Sequence, residues 1–427
     1  MKTLLATIIA ASLTVGCGMI EGEQTTADTS GGGSSTPTDT GGGSASEITG
    51  PTQLSRAISI SAGGQGHTCA VVTNDRLVYV IWAMNWVPAS DNGTGDVYCW
   101  GGNTGHLYFE SGNRNVATYL SGLSDTKSLA TGAHHTCALS SDKTVQCWGT
   151  NNYGELGDGT FNNSYFPTSV LSLDNVTALS ASSNQNCALL DNGTIRCWGH
   201  NSYGQLGDGN PITNPSKSNI PLEVAGITNA TSLALGSMHA CALLSDSTVK
   251  CWGSNGEDQL GDGTGVSSST PVTVSSLSGV IAIGAGSRHT CAVLSDNSIK
   301  CWGGNHEGQL GNGTFVANSN PVDVYGISDA TAISIGSLHS CALLSDSTVK
   351  CWGANTNGQL GDGTNTNSST PSAVSDLNTA FSITTGDHHS CAVMSDSTVK
   401  CWGTGGAGQL GNGSYNSSDV PVSVITE

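Results

Sequence analysis

The chain has 427 residues, in which 13 lysines and arginines stand against 32 aspartates and glutamates, for a formal net charge of −19. A surface this acidic repels the phosphates of nucleic acids and the headgroups of anionic lipids. The composition therefore disfavours nucleic-acid binding. It also disfavours attachment to a membrane through a basic surface.

The first residues have the pattern of an export signal. Lys2 precedes an apolar run from Leu4 to Val15, which is too short to span a bilayer. The end of this run, residues 13–17, resembles a bacterial lipobox, in which the cysteine is lipidated and becomes the mature N-terminus. We therefore predict a lipoprotein-type signal peptide over residues 1–16 and lipidation at Cys17. The alternative is an ordinary signal peptide with an incidental cysteine.

Residues 17–50 form a second segment of distinct composition. They contain two runs of three glycines among serine, threonine and aspartate, with few apolar residues. Such a segment cannot bury enough surface to fold, and it acts as a flexible tether. We expect an exported protein of the bacterial cell envelope, displayed at the outer membrane or cell surface. It would contact the membrane only through its N-terminal lipid.

The rest of the chain is a repeat marked by the triplet Cys-Trp-Gly. Units of this length are supersecondary pieces that cannot bury their apolar surface alone. Four short apolar segments per unit, joined by glycine-rich connections, predict an all-β fold, a seven-bladed β-propeller over residues 51–427. The ring is expected to close when Pro421–Ile425 joins the first blade. The triplets are 48 to 54 residues apart and begin at Cys99, Cys147, Cys197, Cys251, Cys301, Cys351 and Cys401.

Each unit carries two cysteines at matched positions of a predicted hairpin. In the fourth unit, a turn at residues 245–247 places Cys241 opposite Cys251. Opposed residues have Cβ atoms about 4.5–5.5 Å apart, which is close to disulfide geometry. Zinc ligands are usually separated by about two to four residues, so zinc is disfavoured. We predict one disulfide per unit, formed in an oxidising compartment: Cys69–Cys99, Cys137–Cys147, Cys187–Cys197, Cys241–Cys251, Cys291–Cys301, Cys341–Cys351 and Cys391–Cys401.

The repeat resembles that of the regulator of chromosome condensation family. The motifs that match are Gly-x-x-His before Cys-Ala-Leu, as at Gly236 and His239, then Trp252-Gly253, and Gly-Gln-Leu-Gly, as at residues 308–311. All seven units match, although the first has Gly-His-Leu-Tyr at residues 105–108. The resemblance implies a propeller that serves as a protein-binding platform. Some members stimulate nucleotide exchange on a nuclear GTPase, which an exported lipoprotein cannot meet, and a secreted bacterial branch inhibits β-lactamases.

The first unit is interrupted by an insertion at about residues 76–95, between its two cysteines. The insertion is rich in apolar and aromatic residues, and binding hot spots favour tryptophan and tyrosine. It is predicted to contact a partner, together with two aromatic residues that follow it. The alternative is that it covers a propeller face or plugs the channel. The predicted partner-binding residues are Tyr79, Ile81, Trp82, Met84, Trp86, Val87, Tyr108 and Phe109.

Three recurrent residue types resemble functional sites but are predicted to be structural. Calcium needs about six to eight oxygen ligands, whereas each Gly-Asp-Gly-Thr loop offers one aspartate, so turn formation is expected. The seven repeat tryptophans are predicted to pack between blades rather than to stack on carbohydrate. Histidines two residues before the first cysteine belong to different blades and are predicted to form structural hydrogen bonds: His67, His135, His239, His289, His339 and His389.

No nucleophile–base pair, carboxylate pair or cluster of metal ligands stands outside the repeat. We therefore predict a non-enzymatic, monomeric binding protein without a cofactor or a metal. Its partner would be an unidentified protein or a cell-envelope polymer. The first alternative is a hydrolase inhibitor similar to the β-lactamase-inhibiting branch. A glycan-active enzyme and a nucleotide exchange factor are the least favoured.

Overall fold

A computed structural model of the chain describes residues 52–64, 66–72, 94–102, 112–123, 125–210 and 216–426. These residues form thirty β-strands in seven sheets. The described ranges contain no helix that is long and apolar enough to cross a membrane. The sheets are the blades of a seven-bladed propeller, so the predicted fold class is confirmed.

Each blade has four antiparallel strands from one continuous stretch of chain, and the sheet of blade 1 gains two short strands at its outer edge. Its first strand lies innermost, because the first strands of neighbouring blades contact one another around a central channel. Blades 1 and 2 are β2 (Ala57–Ala62), β3 (His67–Val72), β4 (Asp96–Gly101) and β5 (Arg114–Leu120), then β6 (Thr126–Thr131), β7 (His135–Ser140), β8 (Val145–Gly149) and β9 (Ser164–Ser169). Blades 3 and 4 are β10 (Val176–Ser182), β11 (Gln185–Leu190), β12 (Ile195–His200) and β13 (Lys217–Glu223), then β14 (Ala230–Leu235), β15 (His239–Leu244), β16 (Val249–Gly253) and β17 (Ser268–Thr273).

The remaining blades repeat the same order. The second strand of each blade is nearly continuously apolar in sequence because neighbouring blades cover both of its faces. Blades 5 and 6 are β18 (Val280–Ala285), β19 (His289–Leu294), β20 (Ile299–Gly303) and β21 (Asn318–Asp323), then β22 (Ala330–Ile335), β23 (His339–Leu344), β24 (Val349–Gly353) and β25 (Ser368–Ala373). Blade 7 is β26 (Ala380–Thr385), β27 (His389–Met394), β28 (Val399–Gly403) and β29 (Ser418–Ser423).

The predicted hairpin register is confirmed. Leu243 pairs with Val249, and Cys241 pairs with Cys251. All seven predicted disulfides are formed, with Cα atoms 4.0–4.1 Å apart in each pair. Each disulfide therefore joins the second and third strands of one blade.

The ring closes differently from the expectation that Pro421–Ile425 would join the first blade. Residues 418–423 form β29, which pairs with β28 and completes blade 7. The strand that joins the sheet of blade 1 is β30 (Ile425–Thr426), where Thr426 pairs with Ala117. There it also pairs with β1 (Thr52–Gln53) at the outer edge of the sheet. Blade 1 needs no strand from the C-terminus because β5 already supplies its fourth strand.

The repeat tryptophans pack between blades, as predicted. All seven are at most 1 % exposed, and Trp252 donates a hydrogen bond to the Gln205 carbonyl of the preceding unit at 3.0 Å. Gly207 must lack a side chain, because a Cβ there would lie 2.6 Å from Nε1 of Trp252. The Gly-Gln-Leu-Gly motif of one unit is therefore the packing surface for the tryptophan of the next.

Candidate functional site

The strand directions give the disc two faces with different loops. In blade 4, the turn at residues 236–238 and the long loop at residues 254–267 lie at the same end of the strands. We call this end the upper face. The lower face carries the short hairpin turns and the connections to the next blade. The insertion of the first unit leaves from a lower-face turn, between β3 and β4.

The recurrent histidines link neighbouring blades beneath the upper face. His239 Nε2 lies 2.9 Å from the Thr290 hydroxyl of the next blade, and that hydroxyl donates to the Gln259 carbonyl at 2.9 Å. Because the hydroxyl proton is used there, the hydroxyl must accept from Nε2–H. The histidine is thus the neutral Nε2–H tautomer. The same link recurs from His67, His135, His289, His339 and His389, the last reaching Thr68 of blade 1.

These contacts show that the histidines have the structural role predicted for them. Burial lowers the pKa of His239 from 6.5 to about 3, which keeps the ring neutral. In the third unit, Gln185 occupies the histidine position and donates to the carbonyls of Gly236 and His239, at 2.7 and 3.1 Å. We call the resulting ring of hydrogen bonds the inter-blade belt. Within the described ranges, no three histidine, cysteine, aspartate or glutamate side chains form a group that could hold a metal ion.

The aspartates of the Gly-Asp-Gly-Thr loops form turns. Asp262 Oδ1 accepts hydrogen bonds from the backbone N–H and the hydroxyl of Thr264, at 3.1 and 2.9 Å. It also accepts from Nδ2 of Asn255, at 2.9 Å. The carboxylate is thus occupied by its own loop, as turn formation requires.

Each long upper loop uses the same internal hydrogen bonds to hold one residue outward. In blade 4, Asn255 Oδ1 accepts from the Leu260 N–H, and Gln259 Oε1 accepts from the Glu257 N–H, at 2.9 and 3.0 Å. The side chain at the Glu257 position is free to vary because only its backbone is used. In the other described loops this position holds Tyr153, Tyr203, Glu307, Asn357 and Ala407.

Blades 2 and 3 present aromatic residues at this position. Tyr153 and Tyr203 are 39 % and 40 % exposed, and the Tyr153 ring lies edge-on to the His200 ring with centroids 4.8 Å apart. Phe161, in the same loop as Tyr153, is 44 % exposed. Lys217 Nζ stands 4.2 Å from the centroid of the Phe161 ring. We call Tyr153, Phe161, His200, Tyr203 and Lys217 the aromatic patch.

The aromatic patch is held by contacts between its two blades. Lys217 begins the outermost strand of blade 3, and its ammonium group also donates to the Asn152 carbonyl of blade 2 at 3.0 Å. The Asn219 amide donates to the Gly159 carbonyl at 2.6 Å, which joins the same strand to the same loop. The patch therefore combines exposed aromatic rings with one cation on a rigid support.

The outward loop position is charged instead in blades 4 and 5, where it holds Glu257 and Glu307. Glu257 forms an ion pair with Arg288 at 2.9 Å, and its Oε2 lies 3.3 Å from Nε2 of His306. A surface ion pair of this kind contributes about 0–1 kcal/mol. The outward loop position is thus asymmetric around the upper face, with tyrosine in blades 2 and 3 and glutamate in blades 4 and 5.

The partner-binding residues predicted from the sequence lie outside the described residues. Tyr79, Ile81, Trp82, Met84, Trp86 and Val87 fall in the gap at 73–93, and Tyr108 and Phe109 fall in the gap at 103–111. The predicted lipidation site Cys17 and the segments 1–16 and 17–50 also lie outside them. These assignments stay predictions.

The aromatic patch was not predicted from the sequence. A comparison of the upper loops unit by unit would have indicated it, because tyrosine stands at one outward position in units 2 and 3 and glutamate in units 4 and 5. The contribution of Lys217 could not be read in this way. It reaches Phe161 only through the packing of two blades.

Comparison with known proteins agrees with the fold. The structure of Prp20p from Saccharomyces cerevisiae, which was studied for its binding to Gsp1p and histones, superposes with a TM-score of 0.67 at 22 % identity, over 77 % of this chain and 85 % of that one. Human WBSCR16 gives a TM-score of 0.68 at 22 % identity, over 77 % and 93 % of the two chains. The family profile of the RCC1-like domain matches residues 96–426. The chain therefore belongs to the RCC1-like domain family.

Proposed function

We propose that this protein is an exported, lipid-anchored propeller that binds another protein of the cell envelope through the aromatic patch. The observation that carries the proposal is that exposed Tyr153 and Phe161 lie beside His200 and Lys217 of the next blade, whose own loop presents exposed Tyr203. Tyrosine and other aromatic residues bury a large area at a small entropic cost, and they dominate binding hot spots. The binding and regulatory scaffolds typical of the RCC1-like domain family support a role of this class.

The acidic composition supports a protein partner over a polyanion. With a net charge of −19, long-range attraction to phosphates or anionic lipids is unfavourable. Lys217 provides a local cation within this acidic surface, next to an aromatic ring. A partner that places a carboxylate at the edge of an apolar surface would fit this combination.

The position of the N-terminal end supports display from a tether. The described chain begins in β1, which lies at the outer edge of the blade 1 sheet. A tether attached at the rim of the disc leaves both faces open to a partner. Export is further supported by the seven disulfides, since such bonds persist in oxidising compartments.

The test uses partners that are first captured from envelope extracts and then purified. Affinities for the full-length protein are compared with those of the double variant Tyr153→Ala/Phe161→Ala. The matched control is Phe315→Ala/Val316→Ala, because Phe315 holds the position of Phe161 in the blade 5 loop and is 51 % exposed, slightly more than Phe161. We expect at least about a tenfold loss for the patch variant, since hot spots contribute about 2 kcal/mol or more. We expect no change for the control.

A third variant distinguishes binding by the aromatic patch from binding by the insertion, which was predicted from the sequence to contact a partner. Deletion of residues 77–95 removes the insertion, which leaves from the opposite face. Loss of binding in this deletion, with full affinity in the patch variant, would contradict the proposal and identify the insertion as the binding site.

A further inference from the structure

One residue interrupts the rim of the central channel at the upper face. The turn between the first two strands of each blade places a small residue there, and three of the serines form a chain, with Ser237 2.8 Å from Ser287 and Ser287 2.5 Å from Ser337. The next position along the ring is Asp387, the only charged one. In order, the rim residues are Gly64, Ala133, Ser183, Ser237, Ser287, Ser337 and Asp387.

Asp387 leans over a position without a side chain in blade 1. A Cβ on Gly64 would lie 3.2 and 3.3 Å from the two carboxylate oxygens. A cavity of about 150 Å³ opens there, and the described residues that line it are Gly64, Gly66, Asp387, His388, His389, Thr404 and Gln409. A cavity of this size holds a molecule of about the size of benzene. Gly64 and Asp387 also line the mouth of the central channel, so the two spaces adjoin.

The carboxylate in this cavity has no positive partner among the described residues. No ion pair and no side-chain hydrogen bond to Asp387 occurs between residues 52 and 426 outside the gaps. Burial accordingly raises the pKa of Asp387 from 3.8 to about 7. The adjacent His388 does not compensate the charge, since burial lowers its pKa. A cation brought by a ligand would remove the cost of ionising this carboxyl group.

We propose that this cavity, between blades 7 and 1, is a binding site for a primary ammonium group on a short alkyl chain. An ammonium group is a compact charge with three hydrogen-bond donors, which the Asp387 carboxylate and the Thr404 hydroxyl can accept. The methylene groups of the chain would occupy the space over Gly64 and Gly66. One carboxylate cannot hold calcium, which needs about six to eight oxygens. The site is independent of the aromatic patch and of the function proposed above.

A primary ammonium group on a short alkyl chain has two possible sources, a free alkylamine and the lysine side chain of a partner protein. Titration calorimetry of the full-length protein with n-butylammonium chloride tests the site itself, and 1-butanol is the neutral control of the same length. Nα-acetyl-lysine methylamide tests the second source. We expect saturable binding of butylammonium and none of butanol. Binding of the lysine derivative with equal or higher affinity would assign the site to a protein partner, and its absence would assign it to free amines.

Two variants address the geometry. Asp387→Ser restores the residue that four other blades carry, and Gly64→Ser fills the cavity while Asp387 remains. Each is expected to weaken butylammonium binding at least tenfold, whereas Asp323→Asn, at an exposed carboxylate, should leave it unchanged. The proposal is overturned if butanol binds as well as butylammonium, if sodium or calcium chloride competes at equal concentration, or if both variants retain full affinity.

Discussion

The inter-blade belt and the upper-face loops are built from the same repeat, yet they differ in what they allow. In the belt, a histidine whose Nε2 contacts a side chain of the next blade recurs in six of the seven units, as His239 does with Thr290. In the loops, the backbone contacts recur but the outward side chain changes from Tyr153 to Glu257 to Ala407. The fold is therefore encoded at the belt, whereas binding specificity can be encoded at loop positions that the fold does not use.

The largest expected effect comes from breaking the belt with acid. Burial lowers the pKa of the six belt histidines from 6.5 to about 3 or 4. The unfolded chain therefore binds more protons than the folded chain below about pH 6.5, and the free energy of unfolding falls as the pH decreases. Glu155 and Asp387 act in the opposite direction, because burial raises the pKa of each to about 7.

Six histidines outweigh two acids, so we expect a net loss on the order of several kcal/mol between pH 6.5 and pH 4. Urea unfolding at a series of pH values measures it. The variant His289→Gln, which copies Gln185, should reduce proton uptake on unfolding near pH 5 by about one proton. Proton uptake in His289→Gln that equals that of the unsubstituted protein would contradict the neutral state of the belt.

A single methyl group should break the belt at neutral pH. A Cβ on Gly236 would collide with the His239 ring and with the Gly286 carbonyl of the next blade. Because one of these atoms is backbone, Gly236→Ala is expected to cost at least about 3 kcal/mol. Gly256→Ala is the matched control in a loop of the same unit, where a Cβ meets no atom within 4 Å. Thermal unfolding compares the two, and similar melting temperatures would contradict this account of the Gly-x-x-His motif.

The disulfides stabilise the repeated strands rather than the variable upper-face loops. Replacing Cys241 and Cys251 by alanine is expected to cost about 2–3 kcal/mol in the chain-entropy model. The Cys69–Cys99 bond spans 30 residues instead of 10, so its removal should cost about 1 kcal/mol more. Denaturant unfolding of the two double variants measures the difference. A smaller loss for the Cys69–Cys99 pair would show that the insertion is already constrained in the unfolded chain.

The smallest expected effect concerns an acid at a position where five other units have glutamine. Glu155 is fully buried, its Oε2 accepts the Tyr153 N–H at 2.8 Å, and its Oε1 has no partner among the described residues. Burial raises its pKa from 4.5 to about 7, so the stability present below pH 4.5 is lost as the pH rises toward 7. At pH 8, Glu155→Gln should stabilise the protein by about 2 kcal/mol. Glu223→Gln, at an exposed site, should change stability by less than about 0.5 kcal/mol. A destabilised Glu155→Gln variant would mean that the carboxylate has a role of its own.

The blades could be predicted in detail because their information is local and repeated. Cysteines ten residues apart around a turn determine both the hairpin register and the disulfide, and Leu243 opposite Val249 follows from the same spacing. Ring closure was predicted less well. Nothing in the sequence of residues 421–425 distinguishes a strand that completes blade 7 from one that completes blade 1. That choice depends on β5, which is already the fourth strand of blade 1.

The contacts of the candidate site could not be predicted because they form between units, although the tyrosines at its outward positions can be found by comparing the loops. Tyr153, His200 and Lys217 are far apart in the chain and meet only where the loop of blade 2 packs on blade 3. Repeat analysis shows what the units share, whereas this patch consists of residues in which they differ. The same holds for Asp387 and Gly64, which become neighbours only because the last blade meets the first.

The seam between the ends of the chain has a consequence for biosynthesis. Trp100 of the first blade donates to the carbonyl of Gln409 and packs on Gly411, and Thr68 receives its belt contact from His389. These partners leave the ribosome after the rest of the propeller. Until they are synthesised, one side of the first blade stays exposed to solvent and can form non-native contacts. A chain stopped before residue 409 would therefore be marked for degradation by the surface it leaves uncovered.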